Sequence, residues 1–182
     1  MSRLGVQVTS VNGYFKRVAD LRSACEYVTK IALSRNARRI VVSEDPLSSE
    51  FLSEITRDGL FDVKSRETSS REDFFKSLKD AEIGVSSVDL AVAETGTLIA
   101  STSDESNRLV TALPEVHVAI VPSSKVVASL KEAEPYLSEE TKKTTGGVTM
   151  SLISSSSRTS DIGKIVILGV HGPKELHVLV LG

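Results

Sequence analysis

Residues 40–63 read IVVSEDPLSSEFLSEITRDGLFDV, and their punctuation decides the fold class. Ile40-Val41-Val42 is short and β-branched, the composition of a strand. Asp45 followed by Pro46 then opens a helix, since Asp caps orphan N–H groups and proline suits the first helical position. Leu47, Phe51, Leu52 and Ile55 give that helix its apolar stripe. Gly59 stops it, and residues 60–63 form a second strand. Strand, helix, strand in about two dozen residues is the unit of a parallel sheet.

The pattern continues outward. Upstream, Phe15, Val18, Leu21, Cys25, Val28 and Ile31 step by three and four, which predicts a helix after Asn12-Gly13. Downstream, Ser70-Arg71-Glu72-Asp73 resembles a capping box leading into Phe74, Phe75, Leu78 and Ala81. Strand material is expected over 85–93 and 98–102, and a short helix over 107–113, ended by Pro114. The apolar run 116–121, closed by Pro122, suits a strand buried on both faces. Ser123-Ser124 is placed to cap a helix through Val126, Val127 and Leu130 that breaks near Pro135. Ser138-Glu139-Glu140 starts another, ended by Gly146-Gly147. Two C-terminal strands, 164–170 and 175–181, are joined by the tight HGPK connection. With no repeat and no long linker, residues 1–182 are one α/β domain with a largely parallel sheet.

Composition narrows the function. Twenty-two basic residues against 24 acidic ones give a net charge of −2, so no basic field for nucleic acid is expected. No stretch approaches the ~18 apolar residues of a membrane span, and the N-terminus lacks a signal-peptide core. One cysteine, Cys25, allows no internal disulfide and fits a reducing, cytoplasmic setting. One cysteine and three scattered histidines also argue against an iron–sulfur cluster or structural zinc held by this chain alone. The phosphate-binding GxxxxGK[ST], the dinucleotide GxGxxG, the GxSxG nucleophile elbow and the HExxH metal motif are all missing.

Three loops interrupt strands with polar groups. Glu94-Thr95-Gly96-Thr97 holds a carboxylate fit for a base, an acyl nucleophile or a hydrogen-bond acceptor; alternatively, Gly96 makes a turn and Glu94 is solvated. The segment 154–161, SSSSRTSD, sets hydroxyls beside Arg158, equipment for an anion; Ser157, Thr159 and Asp161 belong to it. There the alternative is a serine linker in which Arg158 and Asp161 pair with each other. The third loop, 169–175, holds His171 and Lys174 around a Gly-Pro turn, and His171 is the loop histidine suited to proton exchange; alternatively, both are merely ornamental residues beside the turn. His117 and His177 sit among aliphatic neighbours and read as hydrogen-bonded core residues. Arg108 reads as a substrate clamp or a surface residue, and Cys25 as a small core residue.

AVAETGTLIAS (91–101), LVTALPEVHVAIVPSSKVV (109–127), SRTSDI (157–162) and GVHGPKELHVLVL (169–181) together resemble the lactate utilisation protein C family, the LutC/YkgG group of LUD domains. The likeness runs from about 81 to 181. It departs where the family usually has Gly-Pro and this chain has Ser155-Ser156, where a glycine-rich stretch is replaced by 103–106, and at Gly163. The resemblance implies a three-layer α/β/α domain of the NagB/RpiA/CoA-transferase-like kind. It implies a role in lactate or related organic-acid utilisation as a non-redox subunit, with no cofactor of its own and iron–sulfur clusters on partner proteins. On that reading Arg158 binds a small carboxylate, Thr95, Thr97 and Thr159 orient it, and Glu94 or His171 handles protons. Glu94-Thr95-Gly96 is also similar in outline to the Glu-Asn-Gly segment of CoA transferases. A standalone acyl-CoA or phosphosugar enzyme using Glu94, or a metabolite-sensing module, are the alternatives, and a homo-oligomer fits any of them.

Overall fold

The computed structural model describes residues 2–142, 148–159, 167–168 and 171–182. Among the described residues six α-helices and twelve strands run in the order α1 (Arg3–Ser10), β1 (Tyr14–Val18), α2 (Leu21–Ser34), β2 (Arg39–Val42), α3 (Pro46–Ile55), β3 (Asp62–Lys64), α4 (Arg71–Asp80) and β4 (Ile83–Ser87). Then follow β5 (Leu90–Val92), β6 (Thr97–Thr102), α5 (Glu105–Ala112), β7 (Val116–Pro122), β8 (Val126–Val127), α6 (Leu130–Lys142), β9 (Thr149–Ile153), β10 (Arg158–Thr159), β11 (Ile167–Leu168) and β12 (Glu175–Leu181). The central sheet has the order β1-β12-β7-β4-β2-β3, and every pairing in it is parallel. A smaller sheet, β8-β5-β6-β9, lies beside it.

Three layers result. One face of the central sheet (Ile40, Val42, Ile83, Val85, Val116, Val118, Ile120) packs on Cys25, Val28, Phe51 and Leu52 of α2 and α3. The opposite face meets α4 and α5 through Val41, Phe74, Leu78 and Val110. Alongside them α1 and the small sheet bury Leu4, Val8, Ala91 and Leu98 against Ala119, Val121 and Val178. Helix α6 covers the outer side of the small sheet with Ala133, Tyr136 and Leu137. No helix among the described residues is long and apolar enough to cross a membrane.

The expected signals at 40–63 and 70–81 operate as written. Asp45 accepts from the Ser48 N–H at 2.9 Å, with Pro46 in the first turn of α3, and Ser70 caps α4. Cys25 is a buried core thiol, and burial pushes its pKa up to about 12.

Four expectations are corrected. The stripe from Phe15 is split: 14–18 is a strand paired with β12, and Asp20, accepting from the Ser23 N–H, starts the helix only at Leu21. The stretch 85–93 is two strands in two sheets. Val88 N–H still bonds Ile120 of the central sheet, while Asp89 N–H already bonds Ile99 of the small one. Val126 and Val127 pair with Ala91 and Val92 rather than entering a helix, and α6 runs through Pro135, which removes one internal hydrogen bond without ending it. Of the two C-terminal strands, β12 inserts between β1 and β7, and of the other the described part, Ile167–Leu168, pairs antiparallel with Arg158–Thr159. The rest of 164–170 lies outside the described residues.

Candidate functional site

All six central strands point the same way, so their carboxyl ends share one edge. From β2 the chain moves outward to β3; from β4 it moves the other way to β7. Connections diverging from adjacent strands leave a crevice at the strand ends, the usual ligand position in open α/β sheets. A cleft of about 560 Å³ lies there, lined by Ser43 and Asp45 after β2, Ser86 and Ser87 at the end of β4, and Asp89 just beyond. Ser101 and Thr102 of β6 and Asn107 and Arg108 of α5 close it.

Hydrogen bonds fix these walls. Asp45 accepts from the Ser43 and Ser48 hydroxyls at 2.8 and 2.6 Å, and Ser48 Oγ accepts from the Ser87 N–H at 3.1 Å. Helix α3 is thereby tied to the end of β4. Asn107 binds the Glu44 backbone twice, taking its N–H at 2.7 Å and donating to its carbonyl at 3.0 Å. Asp89 accepts from both the N–H and the hydroxyl of Ser101, and that hydroxyl also meets Tyr136. Asp104 caps α5 by accepting from the Ser106 N–H and hydroxyl; burial works against its charge, but these two hydrogen bonds and the nearby charges of Arg66 and Arg71 hold its carboxyl below the usual range. Among the described residues the Arg108 guanidinium is paired with Glu105, at 3.4 Å in an exposed pair, and pairs of that kind hold a side chain weakly.

On the cleft floor, Ser86 Oγ and His117 Nε2 are 2.9 Å apart, and both residues are buried. Among the described residues the buried Nδ1 of His117 has no partner. Burial, with a smaller contribution from His177, pushes its pKa down to about 4. His177 lies on the other face of the sheet, stacked on Tyr14, meeting Tyr27 through Nδ1 at 3.0 Å and Glu175 through Nε2 at 3.1 Å. Both are hydrogen-bonded core histidines, as expected.

Among the described side chains singled out in the sequence, Arg108 alone lines this cleft. Glu94 accepts from the Leu130 N–H at 2.7 Å, at the start of α6, and faces Arg3 at 3.9 Å. It therefore serves as a helix cap. Gly96 has φ +71°, and a Cβ there would press on Gln7, so turn and close approach both require glycine. Thr95 donates to Thr97, which meets Ser154 at 2.9 Å. Ser157 takes the His171 N–H on its hydroxyl and donates its own N–H to Pro173, so segment 154–157 links the first loop to the third. Lys174 is held by Glu115 at 2.5 Å, just before β7. His171 and Lys174 thus stand at the amino edge of the sheet, opposite the cleft, and do not join Arg108 in one site. Arg158 and Thr159 are described only as backbone of β10, and Asp161 lies outside the described residues.

Ser43, Ser86, Asp89, Ser101 and Asn107 were not foreseen as site residues. For Ser43, Ser86 and Asp89 the available signal was the polar ends of two apolar strands, VVSED and GVSSVD.

The LUD domain family model matches residues 2–181. This chain belongs to the LUD domain family. The match takes in the first eighty residues, beyond the stretch that carried the resemblance. Among curated relatives, Lactate utilization protein C of Geobacillus thermodenitrificans is 32% identical over 106 residues, 57% of this chain and 43% of that protein. The Lactate utilization protein C of Bacillus subtilis is 28% identical over 151 residues, 78% of this chain and 62% of that protein. The LUD domain described here thus spans about half the length of these relatives. A crystal structure of a DUF162 family protein from Deinococcus radiodurans superposes with a TM-score of 0.68, covering 99% of this chain and 94% of that one at 19% identity. That likeness establishes the shared fold.

Proposed function

We propose that this LUD domain serves lactate or related organic-acid utilisation as a non-redox subunit that binds a small hydroxycarboxylate in the switch-point cleft. The names of its relatives support the pathway, and the lining of the cleft supports the ligand. Hydroxyls, carboxylates and the Asn107 amide make up its polar wall, and Arg108 is the one cation among its described lining residues. A hydroxycarboxylate offers the matching set, a carboxylate for the guanidinium and hydroxyls for serine and aspartate oxygens. The volume lies within the ~300–1,000 Å³ of small-molecule sites. Oxidising a hydroxyl to a carbonyl removes two electrons, which need an acceptor. With one buried thiol in the whole chain, we assign that acceptor to partner proteins carrying iron–sulfur clusters.

Arg108→Ala is expected to weaken L-lactate binding about tenfold or more, read by titration calorimetry, because a charge-assisted hydrogen bond contributes roughly 1.5–3 kcal/mol. Its melting temperature should stay within a degree or two of the parent, since only an exposed pair is lost. Absence of binding by the parent chain to lactate or to longer hydroxy acids would remove the ligand assignment. For the partners, anaerobic pull-down of the tagged protein should bring down a brown complex that bleaches with lactate; a colourless, solitary protein would contradict the subunit role.

A further inference from the structure

The contact between Ser86 and His117 has room for one hydrogen, and the surroundings decide where it sits. Ser86 is the fourth residue of β4 and His117 the second of β7, with Gly84 in register beside the histidine. Both therefore project on the face opposite the α2–α3 layer. Ser86 lines the cleft, and among the described residues its hydroxyl has no hydrogen-bond partner other than His117.

If the serine donates to Nε2, the neutral imidazole must carry its proton on Nδ1. That N–H would be buried with no acceptor among the described residues, and orphaned buried N–H groups are rare and costly. If Nε2–H donates to Ser86 Oγ, only an acceptor lone pair on Nδ1 goes unused, a smaller loss. A doubly protonated ring would put a charge in a fully buried site. The second arrangement wins. The hydroxyl proton of Ser86 is then not spent on His117, and the open direction for it is the cleft.

We propose that Ser86 is a ligand-binding donor, its proton aimed into the cleft by His117 acting as a positioning residue, and that it takes an acceptor oxygen of a carboxylate or carbonyl. The inference deepens the proposed function and rests on it for the ligand, but the proton arrangement stands independently. Ser86 thereby supplies what Asp45, Asp89 and Asp104 cannot, a donor where the walls are crowded with acceptors. It selects for the oxygen-bearing end of the ligand and against an apolar group of the same size.

Long-range proton–nitrogen spectra of the full chain at neutral pH test the arrangement without ligand. His117 is expected as the Nε2–H tautomer with a bare Nδ1; the Nδ1–H tautomer overturns the proposal. With L-lactate as probe, Ser86→Ala is expected to bind about tenfold more weakly. His117→Gln, whose amide can still donate to Ser86, should stay within about twofold of the parent, while His117→Met should match Ser86→Ala. Thermal melts check that each variant is folded. Full affinity in Ser86→Ala alongside loss in Arg108→Ala overturns the Ser86 role and leaves the cleft assignment standing. Failure of the parent to bind lactate overturns the cleft assignment, and the tautomer then decides the Ser86–His117 arrangement alone.

Discussion

Gly84→Ala is expected to destabilise the domain by about 3 kcal/mol and to abolish ligand binding in whatever fraction still folds. A Cβ at position 84 would stand 2.2 Å from the carbonyl oxygen of Val110 and 2.9 Å from Pro114 Cγ. The first is backbone of α5, so no side-chain rotation relieves it; helix and sheet must part. Overpacking a tight core contact costs roughly 1–3 kcal/mol, and this contact is at the severe end of that range. Moving α5 also moves Asn107 and Arg108, which close the cleft. Urea unfolding should show a lower midpoint at an unchanged slope. Gly59→Ala is the contrasting case: nothing lies within 4 Å, and the left-handed φ of +60° alone sets its cost at about 1–2 kcal/mol. Equal midpoints for the two variants would mean that α5 does not bear on β4 as described.

The same glycine illustrates where the sequence was legible. Asp45-Pro46 and Ser70 acted locally, each cap closing on an N–H three residues away, so local chemistry sufficed to place α3 and α4. Phe15 and Val18 fitted a helical period by position alone. Pairing with β12, more than 150 residues later in the chain, made them a strand, and nothing local announces that partner. Pro135 was misleading for a related reason. Packing of Ala133, Tyr136 and Leu137 on the small sheet outweighs one missing hydrogen bond. Nothing local announces the partner of Glu94, since the Leu130 N–H lies 36 residues away at the start of α6. The cleft was the least legible part. Ser86 and His117 are 31 residues apart, and Asn107 reaches Glu44 across 63, so only the order of strands in the sheet brings them together. A glycine within the strand IGVSS was a readable sign of close backbone approach, but not of which backbone approaches.

Acidification is expected to remove about 2 kcal/mol of stability by pH 5 and about 3 kcal/mol by pH 4, with His117 as the main cause. Free in the unfolded chain, a histidine binds its proton near pH 6.5; in the fold, burial holds this one down to about 4. Above pH 6.5 neither state is protonated and the stability is full. Between 6.5 and 4 the unfolded chain takes up a proton that the folded chain refuses, so stability falls by about 1.4 kcal/mol for each pH unit and levels off below 4. His177 is lowered too, by burial against the pull of Glu175, and adds a smaller loss of the same sign. The carboxyls of Glu82, Asp104 and Glu175 are held below their usual values, so the stability that they contribute is lost only as pH falls below about 4.5. The window from pH 6.5 to 5 therefore belongs to the histidines. Urea midpoints measured across it should slope steeply for the parent chain and much less for His117→Gln, which keeps a donor for Ser86 but cannot titrate. A parent slope no steeper than that of the variant would mean that His117 is not buried as a neutral ring, and with it would go the reason for assigning its proton to Nε2.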